Sequence, residues 1–410
     1  MNATSTITDS DVRLAIASDH SWTRVATLVA ALCGLAVSFG VEAGKPGGQP
    51  GSGGKAPANP DIVYMSAASN NFSTSEMRGV TLSADRMTSI DSSLLKSATG
   101  RERHSVAWSP DGSRFAWIEG GAIMAAAPGG KPVVLYAPTS PGDPIVLGNS
   151  DTLAWATDCA NSAGSVLVFH SGSPYALQLL KIGSDGAVTG REEIYNNESE
   201  FVGFDPATGG EIWAMSSSGS FAFSPTGQHL AFHAYSKRLD PGIHTIAMCP
   251  SQGNAARGEP VMLVRQQDLR GFDEDSVMSV DWSRSGRRLA LSVTTSTDSA
   301  YPWRDLRVVD LDYSVDPKTG VESVVYYGSV RTLDSLAAYF GSASSEHSPQ
   351  WDPSPAGEAC ERLAFSQSSD AGRKLYLADL LTGDGCMAAP ETPQVVSAKN
   401  PRALAWRLKN

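Results

Sequence analysis

The sequence predicts an all-β fold, a six-bladed β-propeller of four-stranded antiparallel blades, and three observations carry that reading. A hairpin phrase recurs along the chain, with its aromatic member at Trp108, Trp155, Phe223, Trp282 and Trp351, at intervals of 47, 68, 59 and 69 residues. Further short apolar segments follow the copies, and the two ends of the repeat region hold complementary fragments of one more unit. Units of this length, each written as four short strands, are the signature of propeller blades.

The hairpin comes first. In its clearest copy, Val106–Trp117, Trp108 closes an apolar strand, Ser109-Pro110-Asp111-Gly112 turns the chain, and Phe115-Ala116-Trp117 opens the second strand. Phe221–Phe232 and Val280–Leu291 repeat it. Proline presets φ near −65° and glycine takes positive φ, which reverses the chain between antiparallel strands. Two copies are worn: Trp351-Asp352-Pro353 leads after a longer turn into Arg362–Ser366, and Leu153–Trp155 crosses a Gly/Ser/Asn loop into Ser165–Phe169.

Third strands follow at Ala176–Ile182, Ile243–Met248, Leu306–Leu311 and Lys374–Asp379, and fourth strands at Pro132–Tyr136 and Pro260–Val264. Unequal spacing means loops of variable length. Ala403–Arg407 is a first strand with no second after it, and Ile62–Ser66 is a second strand with no first. Pairing of this C-terminal strand with the N-terminal blade closes the ring, makes the sixth blade and removes an open sheet edge.

The repeat resembles that of the TolB-like six-bladed propeller family, whose unit is an aromatic residue followed by Ser-Pro-Asp-Gly and an Ile-Ala-Phe type strand. The resemblance covers residues 61–410 and implies an envelope protein or lipoprotein as partner. The small α/β domain that precedes the propeller in TolB has no counterpart in this sequence. Propellers of this type host unrelated activities, so function has to be argued from the site.

At 410 residues, 41% hydrophobic and 18% charged, the chain is long enough for a large core and is not disordered overall. It carries 32 basic against 43 acidic residues and no Lys/Arg run, which argues against a nucleic-acid partner. Residues 25–39 are an apolar run preceded by Arg24 and followed by the small-residue pattern Val41-Glu42-Ala43. Residues 1–43 therefore resemble a secretory signal peptide. Asp9, Asp11 and Asp19 in the leading segment are irregular for one, and an uncleaved anchor is the alternative, although the run is short for a membrane span. Bulky Leu32 before Cys33 argues against lipid attachment. Residues 44–60, rich in Gly and Pro, read as a flexible tether, and residues 61–410 as one propeller domain. The expected product is a periplasmic or secreted monomer with no membrane span in the mature chain.

Beyond Cys33 there are four cysteines, Cys159, Cys249, Cys360 and Cys386, and export favours disulfides. Blade topology places the turn between strands one and two on the same face as the turn between strands three and four. Cys360 and Cys386 occupy these two turns within one blade; Cys159 and Cys249 occupy them in successive blades. The expected pairs are Cys360 with Cys386 and Cys159 with Cys249, each contributing roughly 3 to 4 kcal/mol in the chain-entropy model. No pair has close metal-ligand spacing, and no metal or cofactor is expected.

A catalytic constellation is not written in the sequence. Gly-x-Ser-x-Gly does not occur, so the serine hydrolase domain that accompanies some propellers is not expected. His229 and His233, four apart on a strand, lie about 13 Å from each other and cannot share an ion. His104, His170, His244 and His347 are scattered, and convergence at the channel, as in TolB-like pectate-degrading lyases, has no sequence cluster to favour it. Asp205-Pro206-Ala207-Thr208-Gly209-Gly210-Glu211-Ile212-Trp213 matches the phrase of quinoprotein propellers, but in full only once, and residues 200–215 read as an extra hairpin between blades. Asp310–Asp316 is too loosely spaced for a calcium loop and lacks its glycine. Leu333, Leu336, Ala337 and Phe340 have helical spacing.

The longest loops are those joining strands two to three and one blade to the next, and they leave together on the face opposite the disulfides. They bring Phe72, Tyr235, Lys237, Arg238, Arg270, Phe272, Tyr301, Trp303 and Arg304, side-chain types enriched in interface hot spots. The expected function is an exported protein-binding or scaffolding module of the cell envelope, with a carbohydrate-active lyase or hydrolase working at the channel as the alternative.

Overall fold

The computed structural model describes residues 59–407 apart from 68–74, 84–88, 97–101, 140–144, 146–151, 172–175, 197–199, 205–210, 215–219, 235–241, 250–259, 270–276, 295–303, 316–321, 334–344, 370–371, 385 and 387–392. The expected signal segment 1–43 and nearly all of the tether lie outside the described residues. Among the described residues no helix is long and apolar enough to cross a membrane.

Six four-stranded antiparallel blades form the propeller. Blade 1 holds β1 (Ile62–Ser66), β2 (Glu76–Leu82) and β3 (Ser89–Leu95). Blade 2 holds β4 (Arg103–Trp108), β5 (Phe115–Glu119), β6 (Ala122–Ala126) and β7 (Val133–Tyr136), and blade 3 holds β8 (Leu153–Thr157), β9 (Ser165–Ser171), β10 (Ala176–Ile182) and β11 (Val188–Asn196). A separate hairpin follows, β12 (Glu200–Phe204) with β13 (Glu211–Ala214). Blade 4 is β14 (Phe221–Phe223), β15 (His229–Ala234), β16 (Gly242–Ala247) and β17 (Val261–Arg265). Blade 5 is β18 (Val277–Trp282), β19 (Arg288–Thr294), β20 (Arg304–Val315) and β21 (Glu322–Thr332). Blade 6 is β22 (Ser345–Trp351), β23 (Arg362–Ser369), β24 (Gly372–Asp379) and β25 (Gln394–Ser397), with a short helix α1 (Pro355–Cys360) between β22 and β23.

The last strand, β26 (Pro401–Trp406), pairs antiparallel with β1, Ile62 opposite Trp406 and Tyr64 opposite Leu404, and completes blade 1. The ring thus closes through the two fragments that the sequence left incomplete. Contact runs from β26 to β4, β8, β14, β18, β22 and back to β26, so the six inner strands line one channel. A single parallel bridge, Arg304 to Ser345, links blades 5 and 6.

The recurring turn explains its own spelling. Ser109 N–H donates to the Arg114 carbonyl at 2.8 Å, Gly112 N–H to the Ser109 carbonyl at 2.8 Å, and Arg114 N–H to Ser109 Oγ at 3.0 Å. Ser224 with His229 and Ser283 with Arg288 repeat all of this, and Gly112, Gly227 and Gly286 stand at φ 63°, 69° and 72°. Serine is needed because its hydroxyl accepts a turn N–H that has no backbone partner; glycine is needed because φ is positive.

The core is a set of sheet-on-sheet layers between blades. Alternate residues of each strand face opposite neighbours, so Ile118, Ile123, Leu167, Phe169 and Leu180 fill the gap between blades 2 and 3, while Val168, Leu179, Leu230 and Phe232 fill that between blades 3 and 4. Strands buried on both faces read as continuous apolar runs, as in Phe115-Ala116-Trp117-Ile118.

Leu333 is buried between blades 5 and 6, and the rest of the expected helix lies outside the described residues. Asp310 and Asp312 sit within β20, where Asp310 pairs with Arg288 at 3.3 Å and accepts from Ser329 at 2.6 Å. This segment is a strand with a structural carboxylate.

Candidate functional site

The channel is built from two positions that recur on every inner strand. Each strand carries an aromatic residue at or near its end: Trp108, Trp155, Phe223, Trp282, Trp351 and Trp406, the last residue in all but β8, which runs on to Thr157. Three residues earlier stands a hydroxyl, Ser105, Thr152, Ser220, Ser279 and Ser348, replaced in blade 1 by Ala403.

The aromatic residues are joints. The five tryptophans are at most 8% exposed, and Trp108, Trp155 and Trp282 pack on the preceding blade through Ala405, Ala107 and Ala222. Trp282 Nε1 also donates to the Ala222 carbonyl at 3.0 Å. They are not an exposed stacking platform.

The hydroxyls are latches. Ser105 Oγ accepts the Thr152 N–H at 3.0 Å, Ser220 Oγ the Val280 N–H at 2.7 Å, and Ser279 Oγ the Ser348 N–H at 3.2 Å, each reaching the inner strand of the following blade or the residue just before it. Asp281 adds a fourth link of this kind, accepting the Trp351 N–H at 2.7 Å. Ser105 and Ser348 both stand at φ 50° within bulges of β4 and β22, which aim these groups across the joint.

At the mouth on the face of the short turns lies a cavity of about 710 Å³. Its wall is Ala107, Ala154, Ala222, Asp281, Gln350 and Ala405, the residue before each aromatic, and its rim includes Asp111, Arg114 and Arg284. Partial burial pushes the Asp111 carboxyl up, but hydrogen bonds from Ser109 Oγ, Ser113 N and Ser113 Oγ, with Arg114 nearby, outweigh it and hold Asp111 below the ordinary range. Arg114 lies over the Trp155 ring at 5.8 Å and against Gly186, where an added Cβ would stand 2.1 Å from its Nη1. Both carboxylates of the cavity are thus engaged in structural bonds, and Asp111 is held ionised. Neither is arranged as a general acid.

The sequence-predicted groups distribute as follows. Cys159 is bonded to Cys249 and Cys360 to Cys386, the pairs that blade topology selects. Cys360, Asp379 and Cys386 have potential ligand atoms within 4.8 Å of one another, but the sulfurs are bonded to each other and Asp379 holds Arg362. Among the described residues no histidine lines the cavity. His104, His170, His233 and His244 are buried within blades 2, 3 and 4; His170 meets the Phe221 ring at 5.0 Å and His244 the Phe232 ring at 6.0 Å. Burial lowers the pKa of His229, and His347 falls on β22.

Of the expected partner-binding residues, Phe72, Tyr235, Lys237, Arg238, Arg270, Phe272, Tyr301 and Trp303 lie outside the described residues. Arg304 is the first residue of β20, paired with Thr294 and bridged to Ser345. The loop expected from Gln266 begins as a 3-10 turn, Gln266–Leu269, with Leu269 fully buried in the joint of blades 4 and 5. The hydroxyl latches went unread in the sequence, although Ser/Thr three residues before five of the six aromatics marks their positions.

No protein-family model and no curated protein matches the chain. Among solved structures it is similar to a putative TolB from Agrobacterium tumefaciens, with 13% identity, 77% of this chain and 87% of that one covered, and a TM-score of 0.44. It is similar also to a putative 6-phosphogluconolactonase from Bacteroides uniformis, with 13% identity, 82% and 80% coverage and a TM-score of 0.42. A puromycin-hydrolyzing peptidase from Mycobacterium tuberculosis gives 16% identity and a TM-score of 0.41, with 72% of this chain covered but only 37% of that one. At such values the likeness transfers no function.

Proposed function

We propose that this chain is an exported, TolB-like binding or scaffolding module of the cell envelope that recognises an envelope protein or lipoprotein through its long-loop face. One observation carries the reading. On the face of the short turns, the two longest connections, 248–260 and 380–393, each hold a cysteine of a disulfide. By strand direction, the blade-to-blade connections 137–152, 197–220, 266–276 and 333–344 leave from the opposite ends of the strands, and none contains a cysteine. One face is fastened, and the length and aromatic content of the other are free to serve recognition.

The turn face is also fastened across blades without sulfur. Arg284 Nη1 donates to the Pro353 carbonyl at 2.5 Å, and Ser285 and Arg288 bind Glu358 of α1 at 2.6 and 3.1 Å. Such cross-links hold the disc rigid, so the loops opposite are presented on a fixed frame. The reading is tested by crosslinking in the native envelope followed by capture of the mature protein, with Trp303→Ala as the comparison. The expected result is a specific envelope protein captured by the wild type and lost from the variant; equal capture by both overturns the assignment of the face.

A further inference from the structure

The channel mouth on the turn face has two unlike walls. Ala107, Ala154, Ala222 and Ala405 stand before the aromatic residue on blades 2, 3, 4 and 1, whereas Asp281 and Gln350 hold that place on blades 5 and 6. One wall is apolar and the other can accept hydrogen bonds. The cavity of about 710 Å³ between them falls within the roughly 300 to 1,000 Å³ of small-molecule sites.

Its rim holds a guanidinium that is fixed in place but not bonded. Arg114 lies over the Trp155 ring at 5.8 Å, and Gly186, at φ 82°, leaves open the space for Nη1 that a side chain there would fill. Arg114 is attracted by Asp111, yet among the described residues its side chain makes no salt bridge and no hydrogen bond. The Asp111 carboxylate is held by Ser109 and Ser113, and Arg284, on the blade 5 side of the rim, is engaged by the Pro353 carbonyl. A planar guanidinium positioned by stacking, with its donors unused, is arranged for the two oxygens of a carboxylate.

The wall has a matching surplus of donors. Trp108 and Trp351 line the cavity, are 6% and 3% exposed, and keep their Nε1–H groups without an acceptor among the described residues. Trp155 and Trp282 donate theirs to Ser165 Oγ and the Ala222 carbonyl. Blade 5 is three blades from blade 2 in the ring of six, so Asp281 stands across the mouth from Arg114. We propose that this cavity binds a small monocarboxylate with an apolar body and a hydrogen-bond donor at its far end. The carboxylate lies on Arg114, the body on the alanines, and the donor towards Asp281 and Gln350. Asp111 beside the arginine disfavours a doubly charged anion. The site is separate from the long-loop face and does not rest on its role.

Isothermal titration calorimetry of the mature protein with para-hydroxyphenylpropionate tests the proposal, beside its amide, phenylpropionate and phenyl phosphate. Saturable binding of the first compound is expected, with the amide weaker by about tenfold or more and phenylpropionate by roughly threefold. Arg114→Gln should weaken binding about tenfold or more, Arg114→Lys should recover part of that, and Arg287→Gln, exposed on the same face but outside the cavity, should stay within about twofold of the wild type. If Arg114→Gln lowers the melting midpoint, Ser184→Glu replaces it, since it sets a like charge at an exposed position of the rim, and the same loss is expected. Equal binding of the amide, or by the Arg114→Gln or Ser184→Glu chain, overturns the site, as does an equal loss in Arg287→Gln. Tighter binding of phenyl phosphate overturns the ligand class, and no saturable binding of either carboxylate overturns the whole proposal.

Discussion

Blades 2 and 6 start from the same phrase and close it by different means. In blade 2 the turn Ser109–Arg114 is sealed by short-range bonds of its own, from the backbone, the Ser109 hydroxyl and the Asp111 carboxylate, and Trp108 meets Phe115 edge-on at 5.5 Å. In blade 6 Asp352 replaces the serine, and the turn opens into α1, capped by Ser354 Oγ accepting the Gly357 N–H at 3.0 Å. Beneath it Arg362, 2% exposed, meets Asp379 at 2.5 and 2.8 Å and Asp352 at 3.5 Å, and Cys360 is bonded to Cys386 beside them. A longer turn is tolerated on this face when it brings its own hydrogen bonds, countercharges and covalent tie. That is the difference between a repeat and a modified repeat.

The largest effect separates the two disulfides. Cys159–Cys249 joins successive blades across 90 residues and Cys360–Cys386 lies within blade 6 across 26. The chain-entropy model assigns them about 4.6 and about 3.5 kcal/mol, so replacing the first pair with serine should lower the denaturant midpoint more than replacing the second. The reverse order would show that native packing in blade 6, rather than chain length, sets the contribution.

Asp379→Ala comes next. It removes the two closest hydrogen bonds of the buried Arg362 guanidinium and leaves Asp352 at 3.5 Å as its countercharge, and a loss of about 3 kcal/mol is expected in equilibrium unfolding. Arg362→Met with Asp379→Leu and Asp352→Asn, which removes the whole buried charge cluster, should restore much of it. If the single variant is as stable as the wild type, the buried charges are not what holds the longer turn.

Ser109→Ala sharpens the comparison from the other side, because it removes the hydroxyl that accepts the Arg114 N–H in the turn of blade 2. About 1 kcal/mol should be lost, and Asp352→Ala in blade 6 should cost more, since there the carboxylate also faces Arg362.

The smallest effect is a pH dependence. Burial lowers the folded-state pKa of His229, so as pH falls below about 6.5 the unfolded chain takes up a proton that the folded chain refuses. Stability should decline from there towards acid, and His229→Gln should flatten that part of the profile. An unchanged slope would assign the acid sensitivity to the carboxylates.

Much of the fold was legible because the turn chemistry repeats. Gly112, Gly227 and Gly286 stand at the same offset from their aromatics, and the unpaired strands at Ile62 and Ala403 announce ring closure. The disulfides were legible once the blades were, since strand order decides which turns share a face. Less legible were features that depend on neighbours far apart in sequence. Ser105 reaches Thr152 across 47 residues, and Tyr64 joins Asp91 at 2.7 Å and Ser397 at 2.8 Å across the blade 1 and blade 6 joint. Burial of that phenol raises its pKa, as expected of a group locked into the joint. Helix α1 was hidden because Pro355-Ala356-Gly357-Glu358-Ala359-Cys360 is short and has no periodicity to read. Gly357 is required there by contact, since an added Cβ would stand 2.3 Å from Asp352 Cβ.

Recognition through the face opposite the disulfides is tested most directly by placing a photo-crosslinking amino acid at residue 303, in the connection between β19 and β20, and in a second protein at exposed Ser113 on the turn face. Illumination in the native envelope should give a defined adduct from position 303 and none from position 113. An adduct from position 113 alone would contradict the account and place recognition at the channel mouth among the short turns.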